Sequence, residues 1–216
     1  MRKSRKSFRF VLYLAVASFI FPAMAGSYDD FLTAIKRDHR HTIEALLQRG
    51  FDPNSVDETG QPGIIAALLN ESYEVADALA SSDRLQLEAV NQSGETALMM
   101  ASLRGQVALV QRLLQRGAAV NRPGWSPLHY AAAAPDDAPM KLLLARGAAV
   151  DARAPNGTTP LMLAADSGSS ACVDLLLAAG ARADLKNDLG LTAADVARQR
   201  GRDRLADQLG RRAAPP

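Results

Sequence analysis

The 216 residues are 48% hydrophobic and only 5% aromatic, enough for one ordinary domain or a short repeat array at roughly 150 residues per domain, and the Ala- and Leu-rich apolar content favours closely packed helices over a sheet. The net charge of +2 misleads: Arg2, Lys3, Arg5, Lys6 and Arg9 stand in a segment, 1–25, that carries no acid, and removing those five from 25 leaves 20 basic residues against 23 acidic ones, a balance of −3. The basic stripe expected of a nucleic-acid-binding domain is therefore missing, and a single cysteine, Cys172, excludes an internal disulfide framework.

At the N-terminus, the five cations precede an apolar run from Phe10 to Phe21, followed by Pro22 and Ala23-Met24-Ala25. That is the order of a secretory signal peptide. The run falls short of the roughly 20 residues a spanning helix needs, so the expectation is cleavage after Ala25 and, assuming a bacterial source, a periplasmic mature protein with no membrane attachment. The alternative is a membrane-tethered scaffold that keeps its leader. Ser4-Arg5-Lys6-Ser7-Phe8 lacks the second arginine of a twin-arginine signal and reads as an ordinary basic leader segment.

Further along, the chain repeats itself. Gly94, Gly124, Gly157 and Gly190 open similar stretches at spacings of 30, 33 and 33, and Leu-Leu-x-x-Gly endings recur at Gly50, Gly117, Gly147 and Gly180. In the clearest copy, 91–121, Thr96 offers a hydroxyl to the free N–H groups of a first helical turn. Leu98 and Ala101 share a face, and Gly105 supplies the left-handed conformation that stops the helix. Leu109, Val110, Leu113 and Leu114 then form a second apolar stripe that ends at Gly117. The unit is helix, turn, helix, loop. Neither helix is long enough to be stable alone, so each pair must bury its apolar face on its neighbours.

The motifs Ser126-Pro127-Leu128-His129-Tyr130-Ala131-Ala132 and Thr159-Pro160-Leu161-Met162-Leu163-Ala164-Ala165, with the Gly-Ala-x-Val-Asn/Asp endings at 117–121 and 147–151, resemble ankyrin repeats. The resemblance covers essentially the whole chain after the leader. It implies an all-α solenoid of L-shaped units, each a pair of antiparallel helices with a hairpin loop projecting at right angles. Six units are expected, at about 27–56, 57–90, 91–121, 122–153, 154–186 and 187–210, within a repeat domain 26–212 followed by a frayed tail, 213–216. The second unit is degenerate, with Gln61-Pro62-Gly63-Ile64 at its helix opening. The fourth has a leading loop, Arg122-Pro123-Gly124, about three residues short, so its hairpin should be blunted. The last helix carries Arg202, Asp203, Arg204, Asp207 and Gln208, as suits a unit with no outer neighbour.

Catalytic chemistry needs converging polar groups, and the sequence offers few. The resemblance gives His129 a structural role, hydrogen-bonding the loops. His39 and His41, beside Asp38, read as a solvated turn lacking a third metal ligand. Cys172 takes a core position where a thiol behaves as a small hydrophobe. Asp136 and Asp137 are too few for a calcium site. No catalytic, metal or cofactor residue is therefore assigned.

In a solenoid, loop tips and the inner helix row carry little of the stacking and are free to encode a partner. Mapping the family's exposed positions selects Glu95, Leu103, Arg104, Trp125, Arg153, Asn156, Thr158, Asp166 and Lys186 as partner-binding residues, with Ser93, Ser167, Leu189 and Leu191 in the same row. Trp125 has two open readings: an interface anchor of the kind whose truncation costs about 2 kcal/mol or more, or a ring folded over the shortened loop. The expected function is a monomeric, non-catalytic protein–protein interaction module without cofactor. Small exported bacterial ankyrin-repeat proteins, which the chain resembles, add the alternatives of an accessory factor in periplasmic oxidative-stress defence or in toxin neutralisation.

Overall fold

The computed structural model describes residues 26–167 and 169–213. The expected signal peptide and its cleavage site lie outside these residues.

Twelve helices follow one another in six pairs among the described residues, with no strand longer than an isolated bridge. They are α1 (26–37) and α2 (Arg40–Gln48), α3 (Gly63–Leu69) and α4 (Tyr73–Ala80), α5 (Ala97–Leu103) and α6 (Val107–Gln115), α7 (Pro127–Ala133) and α8 (Ala138–Ala145), α9 (Pro160–Ser167) and α10 (Ser170–Ala178), and α11 (Ala193–Gln199) and α12 (Asp203–Ala213). From α3 to α11 each odd-numbered helix packs on the next, and α2, α4, α6 and α8 form a second row. The apolar core is accordingly one continuous cluster, from Phe31 to Leu209, threaded along the stack. The chain is an all-α solenoid.

In three units the first helix starts where a threonine hydroxyl at its N-cap accepts an N–H from three residues on: Thr96 from Met99 (3.3 Å), Thr159 from Met162 (3.3 Å) and Thr192 from Asp195 (3.2 Å). The reciprocal bond closes each box: the N–H of Thr96 and of Thr159 reaches a methionine sulfur, and that of Thr192 reaches the Asp195 carboxylate. In four units the turn to the second helix uses a left-handed residue, whereas in the fourth unit Ala134 is extended (φ −74, ψ 154). Gly105 is left-handed at φ +68, and the first and second units use Asp38 (φ 53) and Glu71 (φ 60), where a side chain makes that conformation costly. Asp38 gains a compensating contact, since its carboxylate accepts from the N–H of Val75 (2.9 Å) and of Glu74 (3.4 Å) at the start of α4.

Between units the chain makes short hairpins, here called fingers, at 57–61, 91–95, 154–158 and 187–191. Each is closed by an N–H of its first residue to the carbonyl of its fifth, and in three of them an Asp or Asn carbonyl-type oxygen accepts from two finger amides, as Asn91 does from Ser93 and Glu95. The degenerate second unit keeps its finger because Asp57 does the work of Asn. The fourth unit has no such closure: three residues too few separate Asn121 from the cap at Ser126.

Units are also joined side by side. Asn54, Glu88, Asn121 and Asp151 each accept the N–H of the corresponding residue one unit on, Gln86 (2.7 Å), Ala119 (2.8 Å), Ala149 (2.8 Å) and Arg182 (3.0 Å). On the second row, Arg40 reaches Glu44 (2.7 Å), Asp77 (2.9 Å) and Glu74 (3.1 Å), while Asp77 also takes Arg112 at 2.8 Å, so one ion network spans α2, α4 and α6.

Candidate protein-binding face

The fingers and the inner helices that follow them fix where the expected contact residues stand. Trp125 occupies the position just before a helix cap. Its ring meets the His129 ring edge-on, with centroids 5.3 Å apart and planes at 76°, yet it remains 37% exposed. One edge therefore packs locally, and a face is left open. His129 itself is fully buried. Its Nδ1 accepts the Ser126 N–H (3.1 Å) and lies 2.8 Å from the Ser126 hydroxyl, leaving Nε2–H to donate to the carbonyl of Thr158 at 3.1 Å. Burial holds the imidazole below its ordinary pKa, against the opposing pull of that carbonyl.

This buried Ser–Pro–Leu–His cap, set within evenly spaced helix pairs, fits one family, and comparison with known sequences decides it. A family model described as ankyrin repeats matches three times, over residues 31–123, 64–153 and 128–210. The chain belongs to the ankyrin-repeat family. A curated relative, ankyrin repeat and SAM domain-containing protein 6 of Rattus norvegicus, is 31% identical over 134 residues, which is 60% of this chain. The chain spans 15% of that relative's length. Ankyrin repeats generally act as non-catalytic modules that bind other proteins.

On this ankyrin frame the other expected residues separate into groups. Arg153, Asn156 and Lys186 come together where the last two fingers meet: Arg153 donates to the Lys186 carbonyl (2.9 Å), and the Asn156 carbonyl accepts from Asp188 (3.1 Å). All three side chains are exposed. Glu95 is half-buried, accepting from Asn91 (2.7 Å) and from the Tyr130 hydroxyl (2.8 Å). Burial first, and then this carboxylate, push the Tyr130 phenol above its ordinary range. Leu103 packs against the core. Arg104 faces Glu71 of the preceding unit at 3.4 Å, and its Nε is enclosed with no hydrogen-bond partner among the described residues. Asp166 pairs with Arg200 at 2.7 Å.

Thr158 is only 9% exposed, where the finger turns its carbonyl inward to His129. The expectations missed residues of the first two units, whose degenerate motifs hid the register. Leu69 is 40% exposed, and with Leu32, Lys36, Gln61 and Asn70 it borders a shallow cavity of about 310 Å³. Glu71 and Arg200 were likewise visible only as charges until their partners were placed.

The remaining chemistry-bearing residues sit apart. His41 is solvent-exposed against Glu44 (3.3 Å), and His39 is the N-cap of α2. Cys172 lies in the core, where burial pushes its thiol up. Among the described residues no three His, Cys, Asp or Glu side chains group as a metal site, and no helix is long and apolar enough to cross a membrane.

Proposed function

We propose that this ankyrin-repeat protein is a non-catalytic, monomeric binding module that holds a protein partner on the face formed by Glu95, Leu103, Arg104, Trp125, Arg153, Asn156, Asp166 and Lys186. Its place of action is the periplasm, after loss of residues 1–25. The observation that carries the reading is Trp125: the only tryptophan of the chain keeps 37% of its surface in water while its ring is held edge-on against the buried His129. Trp and Arg are the residue types most enriched at interface hot spots, and Arg104 and Arg153 share this face.

The test is a pull-down from envelope extract with the wild type and the Trp125→Ala/Arg153→Glu double variant. A partner that the double variant weakens supports this face; a partner held equally by both refutes it. The intact mass of the native protein addresses the leader separately, since retention of residues 1–25 would make the protein a tethered scaffold. Stoichiometric metal in tag-free protein would reopen the question of catalysis.

A further inference from the structure

We infer that the missing fourth finger is a notch that seats an uncharged extended segment of the partner protein, anchored by an apolar side chain on Trp125. This rests on the face proposed above and specifies what occupies its centre. The fingers are tied in two pairs. Gln92 donates to the Thr59 carbonyl (3.0 Å), joining 57–61 to 91–95, and Asp188 donates to the Asn156 carbonyl (3.1 Å), joining 154–158 to 187–191. Between the pairs the chain runs from Arg122 through Gly124 straight to Trp125. A Cβ on Gly124 would stand 3.5 Å from Pro155 Cγ, so the opening falls between 91–95 and Trp125. Neighbouring helices in such a stack lie about 8–10 Å apart, and one absent finger leaves about that width, close to what a peptide chain and its side chains fill.

The anchor is held in advance. The Trp125 ring leans on His129, which is buried and bonded through both ring nitrogens, so little side-chain freedom is lost on binding. The rims set the chemistry of the occupant. Gln92, Ser93, Pro155 and Asn156 are uncharged, and both carboxylate oxygens of Glu95 already accept, from Asn91 and Tyr130. An acidic side chain pressed onto Trp125 would lose water beside the Glu95 carboxylate, and a basic one would compete with Asn91 and Tyr130 for its oxygens.

The probe is a displayed random peptide library selected on the full chain, and the emission of the sole tryptophan reports on the notch alone. Selected peptides should share an apolar anchor among uncharged neighbours and shift that emission to the blue. They should lose at least about tenfold in affinity with Trp125→Ala. They should also fail to bind a variant in which three residues inserted after Arg122 restore a full finger, its fold checked by thermal melting. Selected peptides that carry charge at the anchor, that bind the filled variant, or that leave the emission unmoved overturn the inference, as does a selection that yields none. A concentration-dependent blue shift without peptide would assign the notch to a second copy of the chain and overturn it too. A partner from envelope extract that is weakened by Arg153→Glu but indifferent to the restored finger would remove the notch and leave the broader face standing.

Discussion

Nε2 of His129 donates to the carbonyl oxygen of Thr158 across a unit boundary, at 3.1 Å, while Nδ1 accepts from the cap of its own helix. The neutral imidazole is thus the form the fold requires, and burial keeps its pKa below the ordinary histidine value. A proton taken up at Nδ1 would face the Ser126 N–H. In the unfolded chain the group titrates near 6.5, so the stability it contributes is complete above that pH and is lost as pH falls toward the lower folded value. The denaturant midpoint should therefore drop between pH 7 and pH 5 in wild type and stay flat in His129→Gln, which is less stable at pH 7.

Asp38 should show two separable contributions. Its left-handed backbone costs energy that glycine would relieve, and its carboxylate caps α4 through Val75 and Glu74. Asp38→Ala loses the cap and keeps the strain, for a loss of about 1–2 kcal/mol. Asp38→Gly should fall between alanine and wild type, and Asp38→Asn should come closest to wild type, as read by urea denaturation. Equal losses for Ala and Gly would show that the strain is negligible.

Much of this architecture was legible in the chain because glycine punctuation and apolar stripes recur together in the third to fifth units. The first two units were harder. Their turn residue is Asp38 or Glu71 instead of glycine, and the contact that makes Asp38 tolerable lies 37 residues away, beyond any local pattern. The site was legible as a row of positions but not as a surface. Exposure of Thr158 depends on whether its carbonyl faces solvent or His129, and that of Arg104 depends on Glu71, neither of which spacing reveals. The blunted fourth loop was readable, because it is a matter of counting residues.

Gly63 is closed in by the N-terminal aromatic cluster. A Cβ there would stand 2.3 Å from Phe31 Cζ and 3.1 Å from the Ser55 carbonyl, and Phe31 is itself fixed against Phe51 with centroids 5.0 Å apart. Gly63→Ala should destabilise by about 1–3 kcal/mol through overpacking. Adding Phe31→Leu should recover part of that loss in the same thermal melt, whereas simple additivity of the two substitutions would show that the clash relaxes without help.

Asp77 joins Arg40 and Arg112 from different units, with 21% of its side chain exposed. Partly exposed pairs of this kind contribute about 0.2–1 kcal/mol each and are screened by salt. A double-mutant cycle on Asp77→Ala and Arg112→Ala should return a coupling within that range at low salt and much less in 1 M NaCl. A coupling unmoved by salt would mean that packing, not charge, joins these helices.

The acceptors Asn54, Glu88, Asn121 and Asp151 follow one another at intervals of 30 to 34 residues, and each is matched to an amide in the next unit. Severing the chain at one such residue and rejoining it at the next leaves none of these four acceptors idle and none of their amides dangling. Along this row, excision or duplication of a whole period between those points preserves the pairing, so length can change by one unit at a time.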